Sequence, residues 1–406
     1  MILGGKGITI DIEKRGITKY LLFADLYFPE GIIDTIVPIL IPIFLVEEGI
    51  PVQIATLVAG IGWVPWIIKF MWSGIIDKYI QYGRKTFVII GSLIAVISFF
   101  ILAFIDPVSS IVLFTIFLFI SQIGQSFHDS AADVWAIDVC KRHERGKING
   151  AMAAGHTIGV SSSAVALAFI ADSYGFNSIF IVAGFMVLIV LIIPLIIKEK
   201  KKKRKPEKVA PLLINEFKNR TTALMAIFAP IAVISAGLFM FAVPLFGKNV
   251  INLSVSEIGL IAAASPPFVI AGGLLGGALS DKFDRKKTYY IFAIPSIFII
   301  LSVMFTRVLL ILLIPYFINV FLQTGRGTTI RAMYMDITNP KIGATQYSLF
   351  NSLTVIGVVA TGMFSGILIA ILGYINVFII VALTIIPPLV ILYFIKFDNK
   401  SSNKIK

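Results

Sequence analysis

The sequence predicts an all-α membrane protein in which twelve transmembrane helices form two pseudo-symmetric six-helix bundles. Three observations lead to this fold class. The chain has 406 residues, of which 58% are hydrophobic, and this is more apolar surface than a soluble protein of its size could bury. The apolar residues fall into runs long enough to cross a membrane. A short charged motif also recurs at the same place in each half of the chain, which indicates an internal duplication.

Each apolar run is a predicted span, because a helix needs about 20 apolar residues to cross the hydrocarbon layer. The first half contains six runs: 18–45, 52–77, 86–105, 109–138, 147–171 and 176–197. The second half contains six more: 223–247, 255–280, 287–306, 308–336, 343–371 and 374–396. Many runs exceed 20 residues, so we expect tilted helices or extensions beyond the hydrocarbon. The chain therefore divides into an N-terminal bundle (1–197), a basic linker (198–222) and a C-terminal bundle (223–406) with a short tail.

The basic residues predict the orientation of the chain. Thirty of the 35 Lys and Arg residues fall on one side of the predicted membrane, and only Lys248 and Arg307 fall on the other. Cytoplasmic loops carry the excess of Lys and Arg. We therefore expect a multi-pass protein of the cell membrane with both termini and the central linker in the cytoplasm. The basic run 198–205 is interpreted as a topology signal and solvated linker, with anchoring to anionic lipid as the alternative.

The repeated motif lies between the second and third spans of each half. A glycine-rich helix end, an acid and a cluster of bases appear first at 74–85 and again 204 residues later. Asp138 and Gly159 recur 198 residues on as Asp336 and Gly357. A carboxylate at a helix end can cap the positive N-terminus of a facing helix, so these residues are candidates for a gate at the cytoplasmic mouth. The predicted gate residues are Asp77, Arg84, Asp138, Asp281 and Arg285. The alternative for Lys78, Arg84, Lys85 and the matching bases of the second half is that they only fix orientation.

Several ionisable residues lie within the predicted spans, where a charge is costly and usually faces a bundle interior or an aqueous cavity. At a rise of about 1.5 Å per residue, four of them lie about 12–17 Å from the cytoplasmic ends of their helices. This depth is close to the middle of the membrane, and the four come from four different helices. They are Lys69, Asp129, His156 and Arg326. We interpret them as the lining of a polar chamber.

The chemistry of these residues predicts an anionic or zwitterionic solute and coupling to protons. A guanidinium group is always charged and binds carboxylate or phosphate through two parallel hydrogen bonds. Loss of hydration favours the neutral form of a carboxyl group, which makes buried acids candidate proton carriers. The candidate substrate-binding residues are Lys69, Trp66, Arg326 and His156, and the candidate proton-coupling residues are Glu30, Asp34, Asp129 and Asp133.

Structural alternatives remain for these residues. Lys69 would pair internally with Asp129 or Asp133, Trp66 would be a packing or interface anchor, and His156 would be a hydrogen-bonded core histidine.

Other functions are disfavoured by composition and motifs. The net charge of +13 comes from loops between apolar runs, so it does not indicate a nucleic-acid-binding face. Cys140 is the lone cysteine, so an intrachain disulfide is not possible. The sequence shows no phosphate-binding loop, metal-ligand cluster or nucleophile elbow. We expect no enzyme activity, cofactor or metal. The expected partners are a small solute, protons and the lipid bilayer, with the protein a monomer.

Two groups of short sequence stretches resemble a known transporter branch. The first combines Leu26-Tyr27-Phe28-Pro29-Glu30-Gly31 with Pro65-Trp66-Ile67-Ile68-Lys69-Phe70, and the second is the run from Ser126 to Asp138 followed by Glu144-Arg145-Gly146. They resemble the peptide/acetyl-coenzyme A transporter branch of the major facilitator superfamily, which includes muropeptide permeases. The resemblance covers the first five spans and implies alternating access of two bundles around a bulky solute, with cation coupling. Glu30 and the Trp72-Ser73-Gly74 run depart from the pattern of that branch, which leaves the solute open.

Rival functions are less compatible with this sequence. Within transport, the alternative is a drug or metabolite exporter. A lipid scramblase or membrane enzyme would need a metal or phosphate constellation, and a non-transporting receptor would be expected to carry a large domain outside the membrane.

Overall fold

The computed structural model describes residues 10–11, 16–139, 145–199, 210–339 and 342–395. These residues are almost entirely helical, apart from a two-residue parallel pair between β1 (Ile10–Asp11) and β2 (Ile197–Lys198). The contacts divide the chain into two units. The first unit comprises Met1–Pro206 and Leu253–Ala264, and the second comprises Glu207–Asn252 and Ser265–Lys406.

Six spans make up the helical part of the N-terminal half. Span 1 consists of Gly16–Thr35, a π-helical turn at Ile36–Leu40, and Ile41–Glu47. Span 2 consists of Val52–Ile67 and Lys69–Lys78. The remaining four spans are span 3 (Arg84–Leu102), span 4 (Ile111–Val139), span 5 (Arg145–Tyr174) and span 6 (Asn177–Val190 with Ile192–Ile196).

The C-terminal half continues the series after a short helix at Ala210–Glu216. Its first four spans are span 7 (Arg220–Ala232 with Ile234–Asn249), span 8 (Val255–Ala263 with Pro266–Lys282), span 9 (Arg285–Ser302) and span 10 (Leu309–Ile337). Spans 11 and 12 share one long segment, Gly343–Leu383, followed by Ile386–Phe394.

The described residues contain eleven segments that are long and apolar enough to cross a membrane. The last one, Thr345–Phe394, has 50 residues and is too long for a single crossing. Its backbone is non-helical at Gly373, where φ is +79°, so it divides into spans 11 and 12. The predicted all-α fold with twelve spans is confirmed.

Glycines let pairs of spans pack backbone to backbone, and the same pairs recur in both halves. A Cβ atom added to Gly159 on span 5 would collide with the backbone of Phe28 on span 1. A Cβ atom added to Gly357 on span 11 would collide with the backbone of Pro230 on span 7. Because Gly159 and Gly357 are the residues that repeat at 198 positions, the sequence duplication corresponds to a duplicated helix contact.

Span 8 is divided between the two units. Its first segment packs on span 5 within the first unit, where Asp172 accepts a hydrogen bond from the Ser256 amide at 2.8 Å. Its second segment packs on span 10 within the second unit, with Gly276 against Gly325. The helix breaks where the partner changes, and Pro266 begins the second segment because it needs no amide donor there. The sequence boundaries did not anticipate this division.

Candidate functional site

Span 1 is irregular at the point where its ionisable residues lie. Pro29 lies inside the first helical segment and has no amide to donate to the carbonyl oxygen of Asp25. A wider π-helical turn follows at Ile36–Leu40, and such turns are common at functional sites. Between these two features, Glu30 and Asp34 lie four residues apart and therefore share one face of the helix.

Span 2 breaks directly before its lysine. The first segment ends at Ile67, Ile68 leaves helical geometry with φ −91° and ψ 8°, and Lys69 begins the second segment. The Ser130 hydroxyl of span 4 donates to the Lys69 carbonyl oxygen at 3.3 Å. Interrupted helices at mid-membrane are a common way to build a solute or ion site.

Lys69 is held by two acids from one face of span 4. Its Nζ forms an ion pair with the Asp129 carboxylate and donates to Asp133 Oδ2 at 3.0 Å. The Lys69 and Asp133 side chains are 29% and 38% exposed, whereas the Asp129 side chain is 5% exposed. The predicted internal pair therefore exists with both acids, and one side of it remains accessible.

Tyr27 of span 1 completes this cluster. Its hydroxyl donates to Asp133 Oδ1, so one oxygen of Asp133 faces Tyr27 and the other faces Lys69. The sequence analysis did not select Tyr27 as a site residue. Its place one turn before Glu30, on a span already rich in acids, is the signal that could have indicated it.

A second pair lies nearby on spans 1 and 5. His156 Nε2 and Asp34 Oδ2 are 2.9 Å apart, and both side chains are about one-third exposed. Glu30 is near enough to His156, Asp34, Lys69 and Asp133 to interact with them electrostatically. Six of the predicted residues of the first unit, together with Tyr27, therefore form one cluster, which we call the acidic cluster: Tyr27, Glu30, Asp34, Lys69, Asp129, Asp133 and His156.

The acidic cluster contains more acids than bases. Four carboxyl groups, from Glu30, Asp34, Asp129 and Asp133, accompany one lysine and one histidine. Like charges repel strongly where water is scarce, so full ionisation of all four acids is unfavourable. The arrangement can therefore bind protons or a cationic group as well as an anion at Lys69.

Trp66 lies next to Lys69 on its buried side and does not line the accessible side of the acidic cluster. Its side chain is buried, its Nε1 donates to Gln122 Oε1 at 3.2 Å, and Lys69 Nζ lies 5.9 Å from its ring centroid. A buried indole cannot offer its face to a solute in this conformation. The packing alternative for Trp66 therefore describes this structure better than stacking on a solute.

His128 has a structural role that the sequence did not reveal. It is buried, its Nδ1 lies 2.7 Å from the Ser92 hydroxyl of span 3, and its Nε2 lies 2.8 Å from the Leu26 carbonyl oxygen of span 1. These partners fit a neutral ring that donates from Nε2 and accepts at Nδ1. His128 therefore links spans 1, 3 and 4 behind the acidic cluster.

Arg326 is enclosed within the second unit. The residue is 3% exposed, and its Nη1 donates to Ser235 Oγ of span 7 at 3.1 Å. Tyr289 of span 9 faces the guanidinium group. Among the described residues, no carboxylate lies within 4.0 Å of it, so its positive charge has no ionic partner there.

Arg326 also corresponds by position to His128, 198 residues earlier. Both residues project from the middle of the fourth span of their half and contact the first and third spans. Arg326 therefore links spans 7, 9 and 10 in this structure, as His128 links spans 1, 3 and 4.

The repeated charged motif forms an ion pair inside each unit. In the first unit, Arg84 pairs with Asp138, and its Nη1 lies 3.3 Å from Glu199 Oε1. In the second unit, Arg285 Nε lies 2.8 Å from Asp336 Oδ2, and its Nη1 lies 3.2 Å from Asp281 Oδ1. The two arginines thus join span 3 to span 4 and span 9 to span 10. Asp77 lies in the described second segment of span 2, but its side chain is outside the described part of the structure.

Glu199 is a further participant that sequence reasoning missed. Its carboxylate accepts the amides of Arg84 and Lys85 at 2.7 and 3.0 Å, which caps the N-terminus of span 3. Gly83 has φ +89°, and a Cβ atom there would collide with Glu199. The lone acid within the basic run 198–205 was the available signal. Most of that run, together with Cys140, lies outside the described residues.

The structure also contains an apolar groove that does not suit a charged solute. The groove has a volume of about 410 Å³ and lies between the first halves of spans 2 and 4. Its lining includes Ile54, Leu57, Val112, Ile116 and Phe119. A charged group would lose its hydration there without gaining a polar partner, so the groove does not suit the charged ligands that the acidic cluster could bind.

Comparison with known proteins identifies the family. The sequence matches the Major Facilitator Superfamily profile over residues 26–250 and 225–406. The chain belongs to the Major Facilitator Superfamily. It is therefore a multi-pass membrane transporter and not an enzyme.

Two sequence relatives carry transporter names. A protein of Rickettsia bellii named putative transporter AmpG 1 is 24% identical, covering 88% of this chain and 92% of the relative. The anhydromuropeptide permease of Escherichia coli K12 is 20% identical, covering 80% and 70%. The resemblance to the muropeptide permease branch is confirmed at this low identity.

Solved structures share the fold. The nucleoside transporter NupG superposes with a TM-score of 0.76 at 13% identity, covering 94% of this chain and 100% of its own. A D-xylose–proton symporter superposes with a TM-score of 0.73 at 16% identity, covering 94% and 97%. At these identities, the two structures show the fold alone.

Proposed function

We propose that this transporter moves an anionic or zwitterionic solute by alternating access and couples the movement to protons. The acidic cluster carries this proposal, because it places an accessible lysine among four carboxyl groups that cannot all be ionised at low cost. An anion has a binding partner in Lys69, and the surplus acids have a reason to bind protons. His156 with Asp34 provides a second protonatable pair.

The relative named anhydromuropeptide permease supports a peptide-containing solute, since peptides carry free carboxylates. Arg326 is a further proposed anion contact in the second unit, because its charge is unpaired among the described residues. We also propose that the Arg84–Asp138 and Arg285–Asp336 pairs, with Asp77 and Asp281, belong to a cytoplasmic gate.

Purified protein in nanodiscs provides the test. Its thermal unfolding would be followed with anhydromuropeptide, the dipeptide alanyl-glutamate, uridine and D-xylose, at mildly acidic and mildly alkaline pH. We expect stabilisation by the two anionic compounds, stronger at acidic pH because bound protons offset the surplus acids. Stabilisation by uridine or D-xylose alone would contradict an anionic solute.

The variant Arg326→Ala tests whether the second unit contributes to solute binding in the same assay. If Arg326 contacts the solute, anionic compounds should stabilise this variant less than the wild type, because charged hydrogen bonds contribute about 1.5–3 kcal/mol. Unchanged stabilisation by every compound would leave Arg326 with the helix-linking role only.

The orientation is part of the same proposal. We propose that both termini lie in the cytoplasm, as the distribution of Lys and Arg predicts. A fluorescent protein fused after Lys406 should fold and fluoresce in cells, whereas alkaline phosphatase fused there should be inactive. The opposite pattern would reverse the topology.

A further inference from the structure

The two acids that hold Lys69 differ in their surroundings. Asp129 is 5% exposed, and it and Lys69 form an ion pair on the enclosed side of the cluster. Asp133 is 38% exposed, and its contact with Lys69 is a 3.0 Å hydrogen bond on the accessible side. A solute entering from water therefore meets Asp133 before Asp129.

Tyr27 gives Asp133 a second anchor, and Asp129 has no such anchor among the described residues. The Tyr27 hydroxyl contacts Asp133 Oδ1 and leaves Oδ2 for Lys69. When the contact with Lys69 is lost, Asp133 keeps a hydrogen-bond partner, so a polar group is not left unsatisfied. A protonated carboxyl group retains acceptor capacity for the tyrosine hydroxyl.

The charge of the cluster determines what must accompany a bound anion. Lys69 with ionised Asp129 and Asp133 has a net charge of −1. A singly charged anion added to this group would raise the negative charge to −2 in a region of low dielectric. If Asp133 takes up one proton as the anion arrives, the net charge stays at −1.

We propose that Asp133 is the exchangeable counter-ion of Lys69. The anionic group of the solute replaces the Asp133 carboxylate on Lys69, Asp133 accepts one proton from the open aqueous side, Asp129 remains ionised on Lys69, and Tyr27 positions the displaced Asp133. Release of the solute reverses both steps, and the proton leaves with it. This inference rests on the proposed function, and it assigns the coupling proton to one of four candidate acids.

The other charged groups around Asp133 set the conditions for this exchange. Glu30 faces Asp133 from span 1, Lys69 faces it from span 2, and Asp129 lies one turn earlier on its own helix. Both acids disfavour a further negative charge at Asp133, whereas Lys69 favours one. An anion that occupies Lys69 removes the favourable influence, and Asp133 then binds its proton.

Asp133→Asn tests the assignment, with Asp129→Asn as the matched control on the same face of span 4. Binding of anhydromuropeptide and alanyl-glutamate to nanodisc-embedded protein would be measured by calorimetry across pH, together with proton uptake in weakly buffered indicator solution. Uridine and D-xylose serve as uncharged comparisons.

The wild type should bind one proton per anion, and its affinity should fall about tenfold per pH unit on the alkaline side. Asp133→Asn should still bind the anion, with no proton uptake and no pH slope, because an amide resembles the neutral acid. Asp129→Asn should keep the proton uptake and the slope, because the anion still takes the place of Asp133 on Lys69 and leaves that carboxylate without its cation. Tyr27→Phe should keep the slope but bind up to about tenfold more weakly, through loss of one hydrogen bond.

The outcomes separate this inference from the proposed function. If Asp133→Asn retains proton uptake and Asp129→Asn loses it, the assignment to Asp133 is overturned and anion transport still stands. If neither anionic compound binds to the wild type, or if both bind without protons, the proposed coupling fails and this inference fails with it. Should Asp133→Asn not fold, Asp133→Ser measured beside Asp129→Asn decides the same question.

Discussion

At the residue scale, Lys69 combines the structural features of two roles that the sequence presented as alternatives. The lysine pairs with Asp129 and Asp133, as a structural interpretation predicts. It is also 29% exposed beside an interrupted helix, as a binding site requires. Because one of its two partners lies on the accessible side, the ion pair itself can be exchanged.

Lys69→Gln should therefore weaken both the fold and the binding of anions. Removing the cation leaves a buried carboxylate unpaired, and we expect a loss of about 1–3 kcal/mol in unfolding free energy, less than for a fully buried pair because the lysine is partly exposed. Anion affinity should fall about tenfold to a hundredfold, as expected for a charged hydrogen bond. Thermal unfolding with and without alanyl-glutamate measures both effects.

The exposed Lys78, on the same segment of span 2, provides the control. Lys78→Gln should leave unfolding and anion binding near the wild-type values. Equal behaviour of the two variants would contradict a specific role for Lys69.

At the scale of the helices, glycine contacts define which spans pack most closely. Spans 1 and 5 approach through Gly155 and Gly159, and spans 7 and 11 approach through Gly237 and Gly357. Span 5 also carries His156, so the approach of its backbone to span 1 places the His156 ring against Asp34. The glycines are therefore part of the framework that positions the acidic cluster.

Gly159→Ala should destabilise this framework. The new Cβ atom would collide with the span 1 backbone, which cannot move as a flexible side chain can, and overpacking of this kind costs about 1–3 kcal/mol. A lower temperature of thermal unfolding and a weakened response to anionic compounds are expected together, because the His156–Asp34 pair shifts with the helix.

Gly150→Ala is the control on the same helix, since a Cβ atom at this exposed position meets no atom within 4 Å. Alanine has the higher helix propensity, so this variant should be neutral or up to about 1 kcal/mol more stable. A loss of stability equal to that of Gly159→Ala would show that the helix contact does not limit the fold.

At the scale of the whole molecule, the two copies of the repeated motif occupy corresponding positions but differ in how deeply their ion pairs are buried. Arg84 and Arg285 begin the third span of their halves and pair with the corresponding acids Asp138 and Asp336. The Arg84 side chain is 1% exposed and contacts Glu199 as well, whereas the Arg285 side chain is 23% exposed. The same sequence element is thus an enclosed network in one unit and a more open pair in the other.

Substitution of the two arginines should therefore have unequal effects. Arg84→Met leaves buried carboxylates without their cation and should cost about 3–5 kcal/mol of unfolding free energy. Arg285→Met breaks a more exposed pair and should cost about 1 kcal/mol or less. Parallel thermal unfolding of the two variants measures the difference, and equal losses would mean that the burial of Arg84 is not energetically important.

The sequence alone determined the spans, the duplication and most members of the acidic cluster. Apolar runs of membrane-spanning length, and isolated charges within them, can be read directly from the sequence. In a membrane protein the runs indicate transmembrane helices, and the charges indicate a bundle interior or an aqueous cavity. Glu30, Asp34, Lys69, Asp129, Asp133 and His156 could be identified in this way before any contact was known.

Only the tertiary structure decided which of these residues meet and which remain accessible. Tyr27, Glu199 and Ser235 have ordinary sequence contexts, and their roles come from partners distant in the chain. The burial of Trp66, the division of span 8 and the difference between Asp129 and Asp133 likewise depend on how helices rotate and approach one another. A residue's type sets the interactions it can make, but solvent exposure and partners are set by packing, and these decide whether a charge is a fixed support or an exchangeable one.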